Sequence, residues 1–531
     1  MKNKLKVLSV ILAVILAGIY YYITLPAINI HASGFWTFIM TLILVVIVYY
    51  IFRKKIAITE IKSSKTVKFM LGLLIVVALI YFGGTILSSP IVNAAKYQKL
   101  LKVENGEFTT DIQEVDYKQI PLLDKDSATL LGNRKMGSMI DMASQFEVDE
   151  IYSQINYNDK PVRVSPLKYA SVIKWVTNQS QGIPAYIMID MATQTTELVK
   201  LEQGIKYSTS EYINRYIYRH LRFNYPTYIF DELSFEIDEE GVPYWVCPVK
   251  KFNIGLFGGA TIGRVVLCNA ITGETIDYAI EDVPEWIDRA YTPELLIQLY
   301  DYYGTLKHGF INSVLAQKDC LVTTDGYNYL AIDDDVWVYT GVTSVSGDES
   351  NVGFVLMNSR TMETKFYTVE GATEFSAMES AEGQVQNLQY VATFPLLLNI
   401  SGEPTYFIAL KDNAGLVKKY AMVNVQKYQV VGIGDTVSEC EEEYLKLLLK
   451  EGIQQAETDT REVLTLSGNI TKIAQGVIDG NSHYFIMIEG SDEIFDISVV
   501  DMIQIIKYEV GQTITVEYKA GEVVNTVLSI Q

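Results

Sequence analysis

At 531 residues the chain is longer than one hydrophobic core ordinarily serves, so several folded units are expected. Its 43 Lys and Arg face 63 Asp and Glu, and residues 1–90 hold nine of the basic residues against Glu60 alone. The remaining 34 basic and 62 acidic residues leave a net −28 on the rest of the chain, which excludes nucleic acid as a partner because such a body repels a phosphate backbone.

Three charge-free apolar stretches come first, at 7–24, 35–52 and 69–86. Each is about 18 residues, near the minimum for crossing hydrocarbon, so three transmembrane helices are expected and the lipid bilayer, met through residues 7–86, is the first partner. A cleaved signal segment is the weaker reading of the first stretch, because Ala32-Ser33-Gly34 lies well beyond the apolar run. Six Lys and Arg lie in the 53–68 loop and none in the 25–34 loop. Basic loops stay on the cytoplasmic side, which places the N-terminus in the cytoplasm and residues 91–531 outside the cell membrane. Tyr20, Tyr21, Tyr22, Trp36, Tyr49 and Tyr50 stand at the span ends, where amphipathic rings prefer the headgroup level.

Residues 91–150 read as a polar stalk entering the first folded unit. Residues 151–290 and 291–460 read as α+β modules of antiparallel sheets with packed helices, beginning with a hairpin around Asn158-Asp159. Thr292-Pro293-Glu294 starts one helix, and Ser438-Glu-Cys-Glu441 reads as the capping box of another that stops near Gly452. A loose repeat runs through the region. One half is Gly-x-Pro-x-aromatic at Gly182, Gly241 and Gly402, degenerate at Gly326; the other is an apolar run closing on Asp190, Asn269, Asn358 or Asn424. From 461 to 531 short strands with tight turns read as a small OB-like β barrel.

Ser208-Thr-Ser-Glu211 reads as a capping box opening a helix at about 209–222, stopped by Tyr225-Pro226 and followed by the strands LSFEI, VPYWVCPV and RVVLCNAITGETIDY. This order resembles the PepSY-type module of bacterial envelope proteins, over residues 209–278. The resemblance implies a unit outside the membrane, associated with restraining secreted proteases or with sensing and surface association, and no catalytic residue. The loop KKFNIGLFGGA is longer here than that pattern has it.

Chemistry-bearing groups are sparse. His31, His220, His308 and His483 are scattered, and there is no G-x-S-x-G, H-E-x-x-H or P-loop. The glycine run 255–263 lacks the Lys-Ser/Thr of a phosphate loop and reads as a hairpin tip. Asp325, Asp333, Asp334, Asp335, Asp348 and Glu349 supply hard oxygen ligands of the kind Ca²⁺ takes, but their spacing fits a solvated acidic surface better than an EF-hand. Cys247 and Cys268 are the one pair placed for a bridge, free buried thiols being the more ordinary reading of all four cysteines. Arg215, Arg219 and Arg222, at i, i+4 and i+7, form a cationic stripe suited to an anionic polymer or headgroup, with pairing to the protein's own carboxylates as the plain alternative. No catalytic, cofactor-binding or metal residue is assigned and no cofactor is expected. The leading expectation is a membrane-anchored, extracytoplasmic, non-enzymatic scaffold or binding protein of the bacterial cell envelope, partnered by an envelope protein or anionic polymer. The alternatives are a PepSY-like regulator or sensor of a secreted hydrolase and, third, an enzyme acting on envelope polymer.

Overall fold

The computed structural model of the chain describes residues 2–56, 64–113, 120–332, 334–345, 350–453, 463–478, 481–520 and 524–531. Contacts divide it into two compact units, Met1–Leu447 and Leu448–Gln531.

The first unit opens with helices α1 (Lys2–Thr24), α2 (Ser33–Lys54) and α3 (Lys65–Ser88). α2 and α3 are long and apolar enough to cross a membrane, and almost none of their most apolar stretch is buried in the protein. The described apolar part of α1, Val10–Thr24, is shorter than that measure, so two of the three expected helices have the length and apolarity of a span. Much of the basic loop at 53–68, including Lys62, lies outside the described residues.

The segment expected to be a stalk is packed into the body. Helix α4 (Pro90–Gln98) follows α3 directly, and the strand Glu104–Gly106 pairs in parallel with Thr364–Tyr367. Tyr97, Leu101, Phe108, Ile112 and Ile120 are all buried. These apolar residues come singly, without helical or strand periodicity, so the sequence pattern hid them.

Four antiparallel meanders then follow. The first has strands Ser153–Asn156, Pro161–Tyr169, Ile183–Asp190 and Thr196–Ile205; the second Ser234–Ile237, Pro243–Ile254, Gly258–Asn269 and Thr275–Ala279. The third has Asn328–Ile332, Asp335–Ser344, Gly353–Asn358 and Thr364–Tyr367; the fourth Leu396–Ile400, Glu403–Lys411, Val417–Asn424 and Val431–Gly434. Helix α5 (Lys125–Gly137) precedes them and α6 (Val172–Asn178) joins the second and third strands of the first; α7 (Ile217–Asn224), α8 (Pro293–Thr305) and α9 (Glu374–Gln384) lie between successive meanders, and α10 (Val437–Lys450) follows the fourth. Thr292 caps α8 as expected, accepting from the Leu295 N–H. The capping box of α10 lies two residues earlier than expected: Thr436 accepts from the Glu439 N–H, and the Glu439 carboxylate returns to the N–H groups of Asp435 and Thr436.

The four meanders close their third strands alike. Asp190, Asn269, Asn358 and Asn424 each accept, through Oδ1, the N–H groups two and three residues on, at 2.8–3.1 Å. The next residue donates to the carbonyl of Pro161, Pro243, Val336 or Pro404 at the start of the second strand. Two residues before each of those carbonyls the backbone has positive φ, at Asp159, Gly241, Asp334 and Gly402. Gly241 and Gly402 therefore occupy matching places, whereas Gly182 opens a third strand and Gly326 precedes a first. At the matching places the first and third meanders have aspartates, which adopt left-handed backbone more readily than most residues that carry a Cβ.

The second meander is central. Trp245, Cys247, Val249, Val266 and Cys268 pack into a core shared with the first meander, while Val246, Ile262, Val265 and Leu267 pack into a core shared with α8 and the third. Alternate residues thus face opposite cores, which is why both strands read as nearly unbroken apolar runs. Cys247 stands opposite Val266, Cys268 opposite Trp245, and all four cysteines are free and buried. Burial pushes the Cys268 and Cys440 thiols up to about 12 and Cys247 well above its ordinary value, so none is a ready nucleophile.

The second unit is a closed five-stranded barrel, in agreement with the OB-like expectation. Its strands lie in the order Val463–Ile478, Asn481–Ile488, Phe495–Ser498, Asn525–Ile530, Thr513–Lys519, the last closing on the first. Ile486, Ile488, Phe495, Ile497, Ile514 and Val516, at alternate positions, fill it. A fragment of residues 461–531 is expected to fold alone and to melt cooperatively by circular dichroism; an unfolded spectrum would show that the barrel depends on the preceding unit.

Candidate functional site

A polar and aromatic junction in the first unit lies where the second meander meets the ends of α1, α2 and α3. The extended loop noted in the sequence is the tip of the Pro243–Asn269 hairpin, and its glycines permit a close approach. Gly255 has φ +59, and a Cβ on Gly258 would lie 2.2 Å from the Ser88 carbonyl oxygen and 2.4 Å from Tyr97 Oη. Ser88, buried at the end of α3, accepts the N–H groups of Leu256 (2.8 Å) and Phe257 (3.2 Å) through Oγ. His31, in the α1–α2 loop, donates from Nδ1 to the Leu256 carbonyl at 2.7 Å. Phe257 packs edge-on against Tyr81 of α3 and Trp36 of α2.

Beside the tip, Ile28 N–H donates to Pro226 O and Asn29 Nδ2 to Thr227 O, at 2.7 and 2.9 Å. The three arginines lie here too, although not on one helix. Ser208 Oγ accepts the N–H groups of Ser210 and Glu211, but no helix follows. The Glu211 carboxylate is drawn away to Trp175 Nε1 (2.7 Å) and Tyr169 Oη (2.8 Å) instead of returning to Ser208, so the expected helix at 209–222 is a turn, a short 3-10 segment Ile213–Arg215, and α7.

Arg222 donates from Nε to Leu25 O at 3.0 Å and from Nη1 to Tyr225, Pro226 and Tyr228 carbonyls. Arg219 donates to Tyr22 O and Ile213 O, its guanidinium 4.1 Å from the Tyr22 ring centre, and Arg215 donates to Gln179 O at 2.6 Å. Tyr22 and Leu25 carbonyls end α1, where the helix has no partners of its own for them and where positive charge is favoured. The stripe thus contacts backbone carbonyls of the chain, a partner class the sequence did not suggest.

A second polar site missed by sequence reasoning lies where the meanders meet. A cavity of about 380 Å³ is bordered by Arg163, Arg289, Glu232, Glu294, Tyr327 and Tyr329. Arg163 is 6 % exposed, with Nη2 bonded to Gln154 and Nε unpartnered. Nearby, the Glu236 carboxylate accepts Ser234 Oγ and the Asp288 N–H, and Asp288 accepts the Asn156 N–H. Burial raises both carboxyls, and Glu236 raises Asp288 further. No sequence motif links these residues; only packing brings them together.

The other sequence candidates do not converge. Asp335 forms a two-bond pair with Arg360, Asp334 accepts from Asn156, and Asp333, Asp348 and Glu349 lie outside the described residues. Among the described residues no three His, Cys, Asp or Glu side chains gather as a metal site. His220 meets Gly273 O, His308 meets Asp319 and His483 meets Asp496, each far from the others in the chain. Compared with known proteins, the chain matches no family model and no curated relative.

Two outcomes follow from this geometry. Arg222→Gln removes charge-assisted bonds to four carbonyls, and a loss of about 2 kcal/mol is expected in detergent, read as a lower melting temperature. An unchanged melt would show those bonds to be dispensable. For Asp288 the folded pKa lies above the unfolded one, so its proton contributes stability that is full below the ordinary carboxylate range and is lost as pH rises through the raised folded value. Asp288→Asn keeps an acceptor for Asn156, so its stability is expected to fall less steeply with pH than that of the unmodified chain; equal slopes would remove Asp288 as the cause.

Proposed function

We propose that this is a membrane-anchored, non-enzymatic protein of the bacterial cell envelope, its body outside the cytoplasm and acting as a scaffold or binding surface for an envelope protein or anionic polymer. One observation carries the reading. The end of α1, the start of α2 and the end of α3 all meet the same part of the body, through Arg222 and Leu25, Ile28 and Pro226, and Ser88 with Leu256 and Phe257. Helices whose body-side ends alternate in this way cross the same layer three times, which supports counting α1 as a third span. It also supports a body on the side away from the basic 53–68 loop, and basic loops stay in the cytoplasm. The apolar surfaces of α2 and α3 are left uncovered by protein and suit hydrocarbon.

The α7 helix and second meander stand as the PepSY-like unit, and the shared Asx closures of the four meanders support duplication of one module. The polar cavity mixes arginines with carboxylates, a lining suited to holding a charged or polar group. Donors of Arg215 and Arg219 not used on the chain's own carbonyls suit an anionic headgroup or polymer at the membrane surface. The regulator or sensor reading draws on the same seat, because it couples the PepSY-like unit mechanically to the helices.

Cysteine accessibility in intact cells tests the placement, against a silent background since the native cysteines are buried. D435C is expected to react with an impermeant thiol reagent, and K62C only after permeabilisation. The reverse pattern would overturn the topology.

A further inference from the structure

Helix α6 has the sequence VIKWVTN, and short amphipathic helices ordinarily turn their apolar side toward the core. This one does the opposite. None of its residues is buried; Trp175 packs partly inward, while Val172, Ile173 and Val176 are 53 %, 73 % and 55 % exposed. Ile213 stands nearby, 60 % exposed, with φ +53, a strained backbone for a β-branched residue. Phe223 is exposed as well.

These residues are continuous with the membrane end of α1. Trp175 packs on Tyr212 with ring centres 4.8 Å apart, and Arg215 ties Ile213's turn to Gln179, the residue after α6. Tyr22 of α1 donates to Asn214 at 3.5 Å, and Phe223 lies against the rings of Tyr21 and Tyr22. The exposed apolar residues therefore extend the aromatic end of α1 outward over the body, with Lys174, Arg215 and Arg219 among them. Apolar side chains mixed with aromatic rings and long basic residues are what an element lying in the headgroup–acyl boundary presents.

We propose that Val172, Ile173, Val176, Ile213 and Phe223 form a lipid-contact surface that dips into the outer leaflet beside α1, so that the body rests on the bilayer as well as on its helices. The inference rests on the membrane reading above and adds a second contact with lipid, outside the spans. The strained turn at Ile213 leaves that side chain 60 % exposed, where burial in lipid is favoured over contact with water.

The test uses the full chain in vesicles of phosphatidylethanolamine and phosphatidylglycerol containing lipid with a doxyl quencher high on the acyl chain. Single variants I173C and V176C, both at exposed positions, carry an environment-sensitive fluorophore. L79C in α3 reports the hydrocarbon, and I276C, on the last strand of the second meander, reports a water-exposed apolar site. Quenching of I173C and V176C well above that of I276C, with L79C also quenched, is the expected result. Quenching of L79C alone would overturn this inference and leave the membrane reading standing; if iodide in the water also fails to reach I173C, another protein or a second copy covers the patch instead. No quenching of L79C would overturn both.

Discussion

The hairpin Pro243–Asn269 is the element on which the remaining packing depends. Its two faces supply separate cores, one shared with the first meander and one with α8 and the third, and its tip meets the helix ends. Burial on both sides has a cost in specificity. A slip of one residue would exchange Trp245 and Cys247 for Val246 and Pro248, all apolar or nearly so, and alternation alone would penalise it little. Register is therefore held at the ends. Gly241 turns into the hairpin with positive φ, Asn269 closes it through two N–H groups, and Ser88 grips the tip.

The same closure recurs in the other meanders, with an Asx side chain ending the third strand and a left-handed residue two positions before the second-strand carbonyl that receives the next N–H. What the four share is backbone geometry, and several side-chain types satisfy it. Aspartate at 159 and 334 does what glycine does at 241 and 402, so the repeat is plainer in hydrogen bonds than in letters. Where the meanders abut, the interior is polar: Arg163, Glu236 and Asp288 are nearly inaccessible. Buried ionisable groups of this kind contribute little to stability unless fully paired.

The arginines illustrate how a local pattern and its use separate. Their spacing of four and three residues was legible, and so was a cationic cluster in an acidic body. Their partners were not, because the carbonyls of Tyr22 and Leu25 lie about 200 positions earlier in the chain and carbonyls leave no mark in a sequence. The Ser208 box failed for a related reason: Glu211 had better partners in Trp175 and Tyr169 than the backbone it was expected to cap.

By itself the sequence determined what is local or cumulative. Uninterrupted apolar length specified α2 and α3, tight turns and alternation specified the barrel, and Thr292 and Asn158-Asp159 specified a helix start and a hairpin. Tertiary structure alone decided the packing of residues 91–113 into the body, the two-sided burial of the second meander, the meeting of Arg163 and Arg289 at one cavity, and the seating of the Gly-rich tip on Ser88. Each of these depends on groups far apart in the chain whose attraction is nondirectional or made through backbone atoms, and such contacts exist only once the chain has closed on itself.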